Sequence, residues 1–447
     1  MNRRTFIKAT GAGLAAIATQ PISVNLAQDI GPKKTKLALI GTGVRAIDMW
    51  AKNVLADYGD RFEFVGLCDP NQGRVEFAKK YIGANCPTFT DFDKMVAQTK
   101  PDRIIVTTVD AFHDQYIIKG MQAGCDIITE KPLTTDEHKC QAIRDAEKKT
   151  GRNCTVAFNY RYSPHRTKLK ELLAAGEIGT VTSADFHWYL NTSHGADYFR
   201  RWHRLRSRSG SLLCHKSTHH FDLLNWWLDS DPVEVFAYGA LEFYGKNHEF
   251  RHTNCRNCPY KEKCRFFWDI TKDEKLMQLY VANEQYDGYL RDGCVWKEDI
   301  DIFDKMAVQI KYANKVQVSY SLTTYSPYEG YRIAFNGTKG RLEAWIKESQ
   351  PWTEPPSDDI RLTRNFGDSQ IITIPHSEGG HGGGDVRLKE RIFKDPSLAD
   401  PLKLVAGTRD GAMSVLIGIA ARNSIDTAKP VRIADLTDIK PQPQRPV

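Results

Sequence analysis

The stretch KLALIGTGVRA, residues Lys36–Ala46, decides the fold expected for this chain. Its apolar run Leu37–Ile40 is typical of a buried parallel strand, and a helical pattern begins at Ile47. A tight glycine turn between strand and helix leaves backbone N–H groups free to meet a pyrophosphate. The stretch therefore predicts a dinucleotide site whose turn is formed by Gly41, Thr42, Gly43, Val44 and Arg45.

A second apolar run, Phe62–Leu67, ends in Cys68-Asp69-Pro70. An acid at this distance from the glycine turn suits the ribose 2′-hydroxyl of a dinucleotide. Because Asp69 would repel a 2′-phosphate, we expect NAD rather than NADP.

Strands alternate with helical patterns up to about residue 158, which predicts a doubly wound parallel α/β sheet over residues 34–158. Ligands bind at the carboxyl ends of such strands. Thr108 and His113 follow one strand, and Glu130 and Lys131 follow another. A lysine at the mouth of a nicotinamide cleft can bond a substrate hydroxyl and take its proton, and partial burial lowers its pKa. The alternative is an ordinary surface lysine before a proline, because the position of Lys131 in the sequence is the same in both cases.

These pieces, together with Asn159-Tyr160-Arg161, resemble the Gfo/Idh/MocA family of sugar and cyclitol oxidoreductases. The resemblance implies a Rossmann domain followed by an α+β domain with a large, mostly antiparallel sheet at residues 159–430, and a tail at 431–447. It makes Lys131 the substrate-binding, proton-handling lysine and Arg161 a substrate residue. It also implies cofactor contacts for four polar side chains: Thr108, His113, Glu130 and Asn159.

The densest polar cluster is GSLLCHKSTHHFD, residues 210–222. The family pattern here is Asp-x-Gly-x-His-x-x-Asp, which gives His219 the general acid/base role beside Lys131 and places Asp222 at the substrate. His215 replaces the first Asp, and shares a helix face with His219 if the helix begins early enough. His215 is then a second acid/base or substrate donor, a metal ligand paired with His219, or a structural histidine.

Two further stretches are candidate sugar-binding surfaces. The aromatic and basic segment Tyr198–Arg204 offers Trp202 and Arg204 for stacking and hydrogen bonding, or is an ordinary surface loop. The glycine-rich loop 379–384 offers His381, or serves only as a helix entry with Asp385 as N-cap.

Four cysteines fall in an insertion at residues 245–300: Cys255, Cys258, Cys264 and Cys294. Their spacing suits a structural zinc knuckle, one or two disulfides, or an iron–sulfur cluster. A metal is favoured over disulfides, because the export signal described below implies folding in a reducing cytosol, and the iron–sulfur cluster is the weakest of the three.

Residues 1–30 are typical of a twin-arginine export signal, because Arg3 and Arg4 precede a weakly apolar run at Ala9–Leu26. A disordered basic tail is the alternative. The signal predicts a periplasmic protein exported by the twin-arginine machinery, and no run in the chain is long enough for a stable membrane span. Without Arg3, Arg4 and Lys8 the formal charge of +7 falls to +4, and the remaining charges are mixed, which argues against nucleic acid.

We therefore expect an NAD-dependent oxidoreductase that oxidises a ring hydroxyl of a sugar, glycoside or cyclitol. Because the periplasm holds no free NAD pool, the cofactor should be tightly bound. Two alternatives remain: an NAD-dependent glycoside hydrolase resembling the α-N-acetylgalactosaminidases, and a carbohydrate-binding protein with a vestigial Rossmann domain. A homo-oligomer is expected by analogy.

Overall fold

The computed structural model describes residues 33–446 of the chain. The predicted export signal at residues 1–30 lies outside the described residues. Among the described helices, none combines the length and the apolar character needed to cross a membrane.

The first sheet has six parallel strands in the order β3-β2-β1-β4-β5-β6. They are β1 (Thr35–Ile40), β2 (Phe62–Cys68), β3 (Thr88–Phe89), β4 (Arg103–Val106), β5 (Asp126–Thr129) and β6 (Cys154–Val156). The connecting helices are α1 (Asn53–Tyr58, preceded by a π-helical stretch Ala46–Lys52), α2 (Gln72–Ile82), α3 (Phe92–Thr99), α4 (His113–Gln122) and α5 (Glu137–Thr150). The run Leu37–Ile40 is fully buried at the centre. The prediction of a doubly wound parallel sheet is confirmed.

The second sheet has nine strands in the order β14-β13-β12-β11-β7-β10-β9-β8-β15. They are β7 (Val181–Asn191), β8 (Pro232–Ala240), β9 (Lys305–Tyr312), β10 (Gln317–Ser326), β11 (Glu329–Gly337), β12 (Gly340–Ser349), β13 (Ser357–Arg364), β14 (Ser369–Pro375) and β15 (Val431–Arg432). Within this sheet β7 and β10 pair in parallel and the other neighbours pair antiparallel. The predicted large, mostly antiparallel sheet is confirmed.

The remaining helices are α6 (Pro164–Ala174), α7 (Thr192–Arg200), α8 (Arg206–Ser209), α9 (Leu212–His215), α10 (Ser217–Leu228), α11 (Glu274–Leu279), α12 (Gly384–Lys389) and α13 (Thr408–Thr427). Helix α13 joins the two sheets. A Cβ on its Gly411 would lie 2.9 Å from Leu133 Cβ, and one on its Gly418 would lie 2.3 Å from the Leu213 carbonyl oxygen. Glycine at both positions allows this close packing, and one apolar core therefore runs from the first sheet to the second.

The histidine cluster does not form one regular helix. His215 ends α9 and His219 lies in α10. Between them the His219 N–H donates to the Lys216 carbonyl at 3.3 Å, which is a bond between residues three apart rather than the four of a regular α-helix. The two histidines thus lie in successive helices, with Lys216 in a helical backbone conformation between them.

Candidate active site

The glycine turn has the shape that a dinucleotide site requires. Gly41 has φ +86°, and a Cβ there would lie 2.7 Å from the Thr107 carbonyl oxygen. A side chain at this position would be strained and would also clash with the end of β4. The backbone N–H of Thr42 and its hydroxyl donate to Asp69 Oδ2 at 2.8 and 3.1 Å. The turn and the acid after β2 thus form one unit, and this cradle fits a bound NAD.

Arg45, at the end of the turn, links the two domains. Its Nε donates to Glu130 at 2.8 Å, and both Nη atoms donate to the Asp385 carboxylate at 3.0 Å. Asp385 also accepts from Asn159 at 2.5 Å and contacts His381 Nδ1 at 3.0 Å. Burial raises the pKa of Asp385, but the hydrogen bonds from His381 and Arg45 outweigh it and hold that pKa well below its usual range.

Asp385 is not the N-cap of α12, because the cap residue is Gly383 and no side chain bonds there. Glu130 and Asn159, expected as cofactor contacts, are both buried and belong to the Arg45 network. Glu130 accepts a further hydrogen bond from Trp50 Nε1 at 2.8 Å. These polar groups hold the glycine-rich loop 379–384 against the dinucleotide turn.

A chain of three polar side chains lies at the carboxyl ends of β4 and β5. Lys131 Nζ is 3.4 Å from His215 Nε2 and 3.3 Å from the His215 carbonyl oxygen. His215 Nδ1 is 2.6 Å from Asp110 Oδ2. A protonated Lys131 can only donate, so His215 Nε2 is the acceptor and its Nδ1–H donates to Asp110. Asp110, His215 and Lys131 thus form a continuous path for a proton.

Burial sets the charges along this path. Desolvation lowers the pKa of Lys131 to about 8, against the raising effect of Asp110 and Glu130. Burial, followed by the nearby Lys131, Arg201 and Lys216 charges, lowers the pKa of His215 well below its usual range. His215 is therefore neutral at pH 7, and Lys131 loses its proton near pH 8 rather than near its ordinary pKa of 10.5.

His219, expected as the acid/base beside Lys131, packs against Tyr160. Its ring stacks on Tyr160 at 4.1 Å between centroids, and its buried Nδ1 has no partner within the described chain. Lys216 Nζ donates to the Tyr160 hydroxyl at 3.0 Å, on the same side of the site. In residues 33–446 it is His215, not His219, that lies within hydrogen-bonding distance of Lys131.

Aromatic rings surround His215. Trp202 stacks on His203 at 3.6 Å, His203 packs edge-on against His215 at 4.1 Å, and Tyr198 packs against His215 at 5.4 Å. His381 lies 5.4 Å from the ring of Tyr160. The structure therefore brings Trp202, expected at the substrate, to the rings around His215, and His381, also expected there, to the Tyr160 ring on which His219 stacks.

Five side chains expected at a ligand have protein partners in the structure instead. Arg161 and Asp222 form a buried ion pair through two hydrogen bonds, at 2.8 and 2.5 Å, and each side chain is 1% exposed. Arg204 donates to Asp299 at 2.7 Å rather than to a ligand site. Both ring nitrogens of His113 bond to backbone carbonyls, those of Pro132 and Thr108, at 2.8 and 3.1 Å. These two bonds fix the His113 ring within the protein, and the Thr108 hydroxyl donates locally, to the Val109 carbonyl at 3.4 Å.

The cysteines Cys255, Cys258, Cys264 and Cys294 line one cavity of about 10 Å³, and all of them carry free thiols. Within residues 33–446 no group of three or more His, Cys, Asp or Glu side chains has the arrangement of a metal site. Arg200 Nη1 donates to Cys255 Sγ at 3.0 Å, and a guanidinium there repels a divalent cation. The structure gives the zinc prediction no support.

The sequence places Asp110 at a strand end beside Thr108 and includes His203 in the segment Tyr198–Arg204, but it predicts no individual role for either, or for Tyr160 and Lys216. Asp110 follows β4 at the same sheet edge as Thr108, and this position was the one available signal for it. Lys216 stands beside His215 in the chain, but nothing local indicates that it reaches Tyr160.

The fold and the site define the chain as a two-domain oxidoreductase with an NAD-binding Rossmann domain. A family model described as "Oxidoreductase family, NAD-binding Rossmann fold" matches residues 35–158, and one described as "Oxidoreductase family, C-terminal alpha/beta domain" matches residues 170–433. The chain belongs to this Gfo/Idh/MocA oxidoreductase family.

The chain is similar in sequence to two oxidoreductases and in fold to a third protein. The Bacillus subtilis protein YteT is 39% identical over 428 residues, which cover 90% of this chain and 98% of YteT. An inositol 2-dehydrogenase/D-chiro-inositol 3-dehydrogenase of Lactiplantibacillus plantarum is 24% identical over 46% of this chain and 56% of its own length. The crystal structure of the WlbA dehydrogenase from Bordetella pertussis, in complex with NADH and UDP-GlcNAcA, has a TM-score of 0.61 at 17% identity and covers 90% of this chain and 99% of its own.

Proposed function

We propose that the protein oxidises a ring hydroxyl of a sugar, glycoside or cyclitol with an NAD molecule that it keeps bound. The observation that carries this proposal is the path Asp110–His215–Lys131, in which Lys131 directly follows the Glu130 that bonds Arg45 of the dinucleotide turn. Inositol and UDP-sugar chemistry in the relatives supports a polyhydroxylated ring as substrate.

The dinucleotide would lie on the turn Gly41–Arg45, with Asp69 beside the ribose. Asp69 already accepts from Thr42 and from the Asn71 N–H at 2.9 Å, and a carboxylate has about four acceptor positions. When bound, NAD supplies the acceptor for the hydride that leaves the hydroxyl-bearing carbon. The negative charge of Asp69 favours NAD over NADP.

Lys131 then acts as the general base. Its neutral amine takes the hydroxyl proton and becomes an ammonium group, which donates to His215 Nε2. Because the pKa of Lys131 is about 8, roughly a quarter of the side chain is neutral at pH 7.5, against roughly 0.1% at an ordinary pKa of 10.5. Asp110 fixes the His215 tautomer and ring orientation by accepting from Nδ1.

The rings around the base suit a sugar. Trp202 and Tyr198 supply flat apolar faces, while His219 and His381 supply polar edges close to Tyr160. Carbohydrate rings bind by stacking on such faces and by hydrogen bonds to their hydroxyls.

Tight retention of NAD follows from the proposed location. The predicted twin-arginine signal would export the folded protein to the periplasm, where no NAD is available for exchange. The bound cofactor must then be reset in place, by a second carbonyl substrate or by hydride return to the oxidised product.

The test begins with the purified protein. Nucleotide released by heat is quantified by chromatography, and the protein is incubated with inositols, aldoses and nitrophenyl glycosides. We expect bound NAD and a carbonyl product, and Lys131→Met should abolish turnover without reducing the NAD content. Nitrophenol release without net NADH would instead support the hydrolase. A protein that neither contains nor binds NAD would refute both.

A further inference from the structure

The Cys-rich insertion does not stay on its own domain. Its segment 270–288, called here the cap segment, includes α11 and packs against the first sheet's domain. Ile270, Leu276 and Leu279 are buried in the same apolar cluster as Ile47 of the helix that follows the glycine turn. The insertion therefore forms a wall beside the dinucleotide turn.

Tyr280, in the middle of the cap segment, reaches the turn itself. The Val44 N–H donates to the Tyr280 hydroxyl oxygen at 3.0 Å, and that oxygen lies 3.3 Å from where a Cβ on Gly43 would stand. The N–H groups at this turn are the ones that face a pyrophosphate. Tyr280 is 6% exposed, and its O–H donates to no acceptor in residues 33–446. The Tyr280 O–H is thus available to donate a hydrogen bond at the turn where phosphate oxygens bind.

The cap segment is also fastened beside Asp69, where the adenosine ribose is expected. Asn71 Nδ2 donates to the Asn283 carbonyl at 2.9 Å, and Arg74 forms ion pairs with Asp287 and, at 3.5 Å, with Asp69. A Cβ on Gly73 would lie 1.8 Å from Asn283 Oδ1, so α2 and the cap segment are in direct contact.

A further tie lies at the outer end of the segment. Lys275 Nζ donates to Asp48 Oδ2 at 2.9 Å, on the helix that follows the glycine turn. At the base, Arg256 pairs with Glu284 at 2.5 Å and with Asp292 at 3.0 Å, which connects the cap segment to the cysteine-lined part of the insertion. The segment is held at both ends and in the middle.

We propose that Tyr280 is a cofactor-binding residue and that the cap segment slows the release of NAD. The Tyr280 oxygen keeps its hydrogen bond from Val44 while its O–H donates to a pyrophosphate oxygen. NAD bound under this wall leaves only when the contacts at Val44, Asn71 and Arg74 break together. This inference rests on the proposed function, since it explains how the retained cofactor is held.

The experiment measures NAD release directly. Protein loaded with radiolabelled NAD is mixed with excess unlabelled NAD, and the label that remains bound is followed after rapid gel filtration. Loss of a hydrogen bond to a charged acceptor should make Tyr280→Phe release NAD about tenfold faster. Tyr286→Phe is the matched control, because Tyr286 lies in the same segment and is half exposed, and its rate should stay within about twofold of wild type.

Gly73→Ala tests the cap segment without touching Tyr280. Alanine suits a helix better than glycine does, but here its Cβ would push Asn283 away, so release should again accelerate about tenfold or more. Thermal unfolding of the NAD-free variants checks that both remain folded. Slow release by wild type with unchanged rates in Tyr280→Phe and Gly73→Ala would overturn this inference alone. Release within seconds by wild type would overturn the proposed retention, and this inference with it.

Discussion

The rate of hydroxyl oxidation should rise with pH and level off above pH 8. The base is the neutral amine of Lys131, and burial lowers its pKa to about 8. The neutral fraction is roughly 3% at pH 6.5 and roughly 90% at pH 9, so kcat/KM should increase about 30-fold between them. Reduction of the carbonyl product needs the ammonium form and should show the opposite dependence. The assay is kcat/KM from pH 6 to 10 at constant ionic strength.

A second lysine provides the control for this profile. Burial also lowers the pKa of Lys170 to about 8, but its Nζ donates to the Trp226 carbonyl at 2.6 Å, away from His215. Lys131→Met should lower kcat/KM about 10³-fold. In Lys170→Met the midpoint of the pH profile of kcat/KM should be that of wild type. Burial raises the pKa of Asp110 and the nearby Lys131 charge lowers it. The Asp110 carboxylate in turn raises the pKa of Lys131, so the midpoint of Asp110→Asn should fall. A midpoint near 10 in wild type, or an unchanged profile in Lys131→Met, would refute the assignment of the base.

Three further outcomes are expected. Asp222→Asn weakens a buried ion pair with Arg161, so denaturant titrations should show a free energy of unfolding about 3 kcal/mol lower, with KM unchanged. A raised KM at normal stability would show instead that Asp222 contacts the substrate. Gly41→Ala should abolish NAD binding in calorimetric titration. Gly124 has the same φ of +86° but free space around it, so Gly124→Ala should cost only about 1 kcal/mol of stability and bind NAD normally. The denatured protein should react with thiol reagent at ten cysteines, and a smaller count would reveal disulfides.

The features predicted from the sequence share one property, which is that their signals are local. The turn at Gly41–Arg45 was predicted because an apolar strand, two glycines and a helix follow one another directly. Asp69 and Lys131 were found because each closes an apolar strand, and the ends of parallel strands meet at one edge. The doubly wound sheet follows from the same alternation of strands and helices, repeated over residues 34–158.

The partners of each polar side chain were decided only by the tertiary structure. Asp110 meets His215 across 105 positions, Arg45 meets Asp385 across 340, and Tyr280 meets Val44 across 236. For Arg161 and Asp222 the sequence predicted contacts with the substrate, whereas the fold pairs the two side chains with each other. Periodicity reports which side chains are buried, but long-range packing determines whether a buried charge faces a ligand or another charge. The sequence by itself therefore determined the cofactor turn and the lysine, and only the tertiary structure determined the histidine and the acid that complete the proton path.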